Sequence, residues 1–67
     1  PTIDEVRSVA VGSAVVDAVT KLGLPASRFA MWEDGHLNET LRYESTAGML
    51  GRIKSVDGKI VSVETAN

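Results

Sequence analysis

The single histidine, His36, follows Glu33-Asp34-Gly35, and Ser27 and Ser45 lie on either side of it. A serine, an imidazole and a carboxylate are the parts of a hydrolytic triad. A triad needs its nucleophile within hydrogen-bond reach of the base, and no local signature surrounds either serine. Glu33, Asp34, Glu39 and Glu44 form a second candidate, paired carboxylates for acid–base work. At this density in a soluble chain, carboxylates read as surface charge. His36, beside a glycine in an expected turn, reads as a solvated side chain. One His and no Cys leave no imidazole–thiolate metal cluster. Gly48 and Gly51 lack the preceding strand and the following Lys-Ser/Thr of a phosphate loop. The expectation is a chain with no catalytic residue, no metal and no cofactor.

Trp32, Phe29 and Tyr43 are the aromatic residues. Large rings dominate burial in small chains, so Phe29 and Trp32 read first as core anchors. The sharper reading makes them interface anchors, because Trp and Tyr are enriched where binding energy concentrates.

Sixty-seven residues form one small domain. Such a chain buries only about 60% of the surface its unfolded form exposes, so its core is thin. Without cysteine it has no disulfide to stiffen it, and oligomerisation is the remaining common remedy. Seven basic residues against nine acidic ones give a net charge of −2. That balance counts against strongly electrostatic nucleic-acid binding. No apolar run approaches the ~20 residues of a membrane span, and no signal peptide is legible. A cytoplasmic address and no membrane partner are expected.

The chain reads as helices first and a hairpin last. Thr2-Ile3-Asp4-Glu5 has the form of a capping box. Val11, Val15, Ala18, Val19 and Leu22 lie on one helical stripe, and Ile3, Val6 and Ala10 on another. One bent helix fits this, and two helices breaking near Gly12 fit the rotation between stripes better. Lys21, Gly23 and Pro25 mark the helix end. Residues 26–33 admit two readings: a helix, or a strand that turns at Asp34-Gly35 and pairs with residues 37–43. Asn38 is placed to cap a further helix through Leu41, Ala47 and Leu50. Ile53–Val56, Asp57-Gly58 and Lys59–Val63 make a hairpin pattern, with Asp-Gly supplying the turn. Its apolar residues Ile53, Ile60, Val61 and Val63 are the candidate protein interface, offered through the exposable strand edge.

Leu22-Gly23-Leu24, then Phe29, Trp32-Glu33 and Gly35, resemble the turn and recognition helix of the phage Cro/repressor type of helix-turn-helix domain. Gly12, Ala18-Val19 and the segment Asn38 to Gly51 extend the similarity over residues 12–51. The resemblance implies a recognition helix that presents Ser27, Arg28 and Met31 to double-stranded DNA, with Arg28 able to contact guanine. It also implies dimerisation through the C-terminal strands.

The expected fold is therefore α+β. A small N-terminal helical bundle of helix-turn-helix type, at about residues 3–50, precedes an antiparallel β-hairpin at about 52–64. The expected function is a non-enzymatic DNA-binding transcriptional regulator, acting as a homo-oligomer. The alternative is a protein-interaction or assembly module, such as a viral structural component or small inhibitor, pairing through its strand edge.

Overall fold

The computed structural model describes residues 1–66. Two short helices come first, α1 (Ile3–Arg7) and α2 (Val15–Leu22). Four strands follow: β1 (Ser27–Glu33), β2 (His36–Ser45), β3 (Gly48–Val56) and β4 (Lys59–Thr65). They form one antiparallel sheet in the order β1-β2-β3-β4, each strand beside the next in sequence.

The helices begin as their residue types dictate. Thr2 Oγ1 accepts from Glu5 N–H at 3.2 Å, and Glu5 Oε1 accepts from Thr2 N–H at 2.9 Å, closing the capping box. The chain breaks into two helices, with Gly12 between them at φ 93°. α2 has no side-chain cap. Its Val15 N–H instead donates to the Gly58 carbonyl at 2.8 Å, a partner lent by the sheet.

The two tight turns share one chemistry. Asp34-Gly35 and Asp57-Gly58 all have positive φ, between 52° and 83°. A type I′ turn needs two such residues in succession, and its twist matches that of the strands it joins. β2 then alternates: Leu37, Leu41 and Tyr43 face the helices, while Asn38, Thr40 and Arg42 face away.

The helical bundle expected over residues 3–50 does not form. Residues 27–33 are extended and paired with residues 36–42, so the strand alternative holds and the recognition helix is absent. No helix starts at Asn38 either, because β2 runs from His36 to Ser45. A helix there would keep Leu37 and Leu41 on one face but carry Tyr43 to the other side, whereas a strand puts all three on one face. The β3–β4 hairpin does form, and extends to Gly48 and Thr65.

The core lies between the helices and one face of the sheet. Val6, Val15, Ala18 and Leu22 meet Leu41, Tyr43, Leu50, Ile53 and Ile60. Tyr43 is fully buried and donates its hydroxyl to the Gly23 carbonyl at 2.8 Å, tying the end of α2 to β2. Burial pushes the Tyr43 hydroxyl above its ordinary range. Ile53 and Ile60, expected at an interface, are core residues here, and Val63 packs against them half-buried. Of those four, Val61 alone is exposed, at the irregularity in register where β4 leaves β3.

Gly51 is where α1 approaches the sheet most closely. A Cβ there would overlap the Glu64 carbonyl oxygen and press on Val6 Cγ1 at 3.2 Å. Gly51→Ala is expected to lower the unfolding free energy by about 1–3 kcal/mol. Urea denaturation checks this, and an unchanged midpoint would mean that β4 and α1 do not crowd Gly51 as described.

Candidate functional site

The sequence candidates for chemistry are not brought together. His36 opens β2 and Ser45 closes it, a separation of roughly 30 Å at the rise of an extended strand. Ser27 pairs with Arg42, six residues along β2 from His36. The carboxylate that His36 meets is Asp57, not Asp34: Nδ1 lies 2.6 Å from Asp57 Oδ2. Glu39 is buried on the helix side of β2, and Glu44 lies near the strand's far end. Among the described residues no group of three or more His, Cys, Asp or Glu could hold a metal ion. An open cleft of about 210 Å³ lies between the helices and is lined in part by Ser8, Val9, Ser13, Asp17 and Lys21. It is below the ~300 Å³ at which small-molecule pockets begin.

The residues assigned to a recognition helix sit on β1, and they do not share a face. Ser27 and Met31 pair with Arg42 and Asn38 on the outer face, whereas Arg28 pairs with Leu41 on the core face. The apolar residues that carry the helix-turn-helix resemblance are largely outside: Leu24, Phe29 and Trp32 are 87%, 62% and 72% exposed. Leu22 alone among them is buried.

What the fold does create is an open edge. All seven residues of β1 are exposed, so helices α1 and α2 cover β2 to β4 and stop short of it. β1 pairs with β2 in unbroken register along one side and is the terminal strand of the sheet on the other. Its side chains make two small apolar patches. Phe29 and Met31 project on the outer face, opposite Thr40 and Asn38. Ala30 and Trp32 lie on the core face, beyond the helical cover.

The opposite edge is occupied at the start of β4. Gly12 N–H donates to the Ile60 carbonyl at 2.7 Å, and Ile60 N–H donates to the Ser13 carbonyl at 2.9 Å. Ala14 forms a bridge with Lys59, and Val15 N–H takes the Gly58 carbonyl. The link between the helices thus lies along β4 and occupies polar groups that an edge strand otherwise exposes.

Two side-chain contacts hold β1 and its turn in place. Arg28 Nε donates to Glu39 Oε2 at 2.7 Å, with Glu39 only 9% exposed. Glu39, by its hydrogen bond first and its charge second, holds the guanidinium above its ordinary range. At the turn end, Asp57 Oδ1 accepts from Leu37 N–H at 2.9 Å, and Asp57 N–H donates to the Leu37 carbonyl at 2.8 Å. Since a carboxylate only accepts, the His36 Nδ1 carries the proton that joins it to Asp57. This clamp joins the β3–β4 turn to the start of β2. His36, and then the Leu37 amide, hold the Asp57 carboxyl below its ordinary value of 3.8.

Three outer-face cations, Arg42, Arg52 and Lys54, are partly offset by two carboxylates. Arg42 lies 3.0 Å from Glu44, and Arg52 and Lys54 lie 3.6 and 3.7 Å from Glu64. A phosphate-binding surface needs cations left over for the ligand, and these pairs oppose that use. No family model, curated protein or solved structure matches the chain. Among the described residues no helix is long and apolar enough to cross a membrane.

Two outcomes are expected. Arg28→Ala leaves the Glu39 carboxylate buried without its partner and should cost about 1–3 kcal/mol in urea unfolding, with part recovered by adding Glu39→Leu. Asp57→Asn keeps a residue suited to the turn but removes the charge. Because the folded state lowers the Asp57 value, its contribution is full above about pH 4 and is lost as the pH falls through the folded value. Thermal unfolding should therefore separate wild type from Asp57→Asn at pH 7, with the gap closing toward pH 2. A gap that widens in acid would contradict the clamp.

Proposed function

We propose that this chain is a non-enzymatic interaction module that binds an extended segment of a protein along β1. The observation that carries this reading is the contrast between the two sheet edges. One is occupied by residues 12–15 where β4 begins, at residues 58–60, while the other is a seven-residue strand exposed from end to end. Exposed strand edges invite pairing, and natural proteins blunt those they do not use with proline, lysine, bulges or cover. β1 contains neither proline nor lysine, its register with β2 has no bulge, and the charged residue on its core face, Arg28, is already held by Glu39. Backbone groups would supply affinity, while Phe29, Met31 and Trp32 would select side chains on alternate faces. The tryptophan is the residue type most enriched where interface energy concentrates.

DNA recognition through a helix has lost its helix, and Arg28, its intended base-reading residue, is engaged by Glu39. Titration of the single tryptophan tests the two readings side by side. Nine-residue peptides of alternating valine and threonine should shift Trp32 emission to shorter wavelength and protect β1 amides from exchange. The paired change Phe29→Lys/Met31→Lys should weaken that response at least tenfold without altering the unfolding midpoint. Absence of any peptide response at concentrations where the chain is monomeric, or a response to duplex DNA across a range of salt in its place, would overturn the interaction reading.

A further inference from the structure

We infer that the occupant of the β1 edge is a second copy of the same edge, paired antiparallel about a two-fold axis that passes between the two Ala30 residues. This rests on the reading of β1 as a docking edge and goes further, because it fixes the partner and the register. Two antiparallel strands in one sheet are related by an axis perpendicular to it, which keeps outer face with outer face. The axis must then fall on a residue that pairs with its own copy. Of the registers this allows, the one centred on Ala30 pairs all seven residues of Ser27–Glu33. Centring on Phe29 sets Trp32 and Glu33 against Ala26 and Pro25, which lie outside the partner strand. Centring on Met31 sets Glu33 against Phe29 and leaves Ser27 and Arg28 beyond the partner strand.

The Ala30 register is complementary on both faces. On the outer face Phe29 of each copy lies opposite Met31 of the other, so four exposed apolar side chains form one cluster with two sulfur–aromatic contacts. On the core face Arg28 of each copy lies opposite Trp32 of the other, with the small Ala30 pair between them. A guanidinium over an indole is a favourable pair. Glu39 already holds Arg28 in position while leaving its side chain 47% exposed, so the cation is placed before the indole arrives. Glu33 lies opposite Ser27, so the two acidic residues are kept apart. The largest apolar side chains of β1 are engaged, and the uncovered core-side faces of the two β1 strands adjoin. The product is a continuous eight-stranded sheet with the start of each β4 edge occupied by its own helix link.

The absence of cysteine makes the register directly readable. Directly opposed Cα atoms in an antiparallel pair lie about 4.5–5.5 Å apart, within disulfide range. Mild oxidation of the full chain carrying Ala30→Cys should therefore give a covalent dimer, doubling the mass of 7.1 kDa. Ser27→Cys alone should give none, because the two Ser27 positions would be roughly 20 Å apart. A mixture of Ser27→Cys and Glu33→Cys chains should give the mixed dimer. Sedimentation of the unmodified chain should show a concentration-dependent doubling of mass that Phe29→Lys/Met31→Lys abolishes.

A chain that stays monomeric at all concentrations yet still binds the valine–threonine peptides overturns self-pairing and leaves the docking edge standing. A monomer that binds no peptide removes both. A dimer in which Ala30→Cys fails to cross-link and Ser27→Cys cross-links overturns the register.

Discussion

A four-stranded sheet has two faces and two edges to hide, and this chain has only a five-residue and an eight-residue helix with which to hide them. The helices bury Val6, Val15, Ala18 and Leu22 against β2, β3 and β4, and their cover ends there. β1 lies beyond it, with neither face buried. The outer face of the inner strands solves its exposure with charge, through the pairs of Arg42, Arg52 and Lys54 with Glu44 and Glu64. The outer face of β1 carries Phe29 and Met31 instead. Apolar exposure is thus concentrated on the one strand whose backbone is also open, which is an arrangement suited to contact rather than to solvent.

The parts of the fold legible in the sequence are those governed by local chemistry. The capping box at Thr2–Glu5 and the Asp57-Gly58 turn each depend on residues within four positions of one another. The part that misled was Leu22 to Gly35. β1 shows no alternation of apolar and polar residues, since an element exposed on both faces has no burial period to display. Its helix-like spacing of Phe29 and Trp32 matched a recognition helix although the two rings project from opposite faces of a strand. The signal that could have decided the matter lay downstream. Leu37, Leu41 and Tyr43 against Asn38, Thr40 and Arg42 is a strand pattern, blurred by the buried Glu39 in its apolar row.

That Glu39 is legible only in three dimensions. In sequence it is one carboxylate among several, whereas in the fold it is the one pulled under the sheet and answered by Arg28 from the neighbouring strand. Asp57 presents the same difficulty. Its turn role is local, but its grip on His36 and Leu37 crosses twenty residues and joins two hairpins that spacing alone leaves independent. Likewise Ile53 and Ile60 read as edge residues from the hairpin pattern, and became core once the helices were laid over β3 and β4.

The pairing of residues 12–15 with the start of β4 constrains how this chain can assemble. The helices are made first during synthesis, but their apolar stripes have no sheet to settle on until β3 and β4 exist. The amide of Val15 gains its carbonyl only when Gly58 has turned, and Gly12 waits for Ile60. Neighbouring strands can zip locally, whereas the contact between segment 12–15 and β4 must span some forty-five residues and closes a long loop at an entropic cost. Docking of the helices therefore closes a longer loop than any of the hairpins, and a nascent chain lacking residues 58–60 lacks the atoms that seat α2.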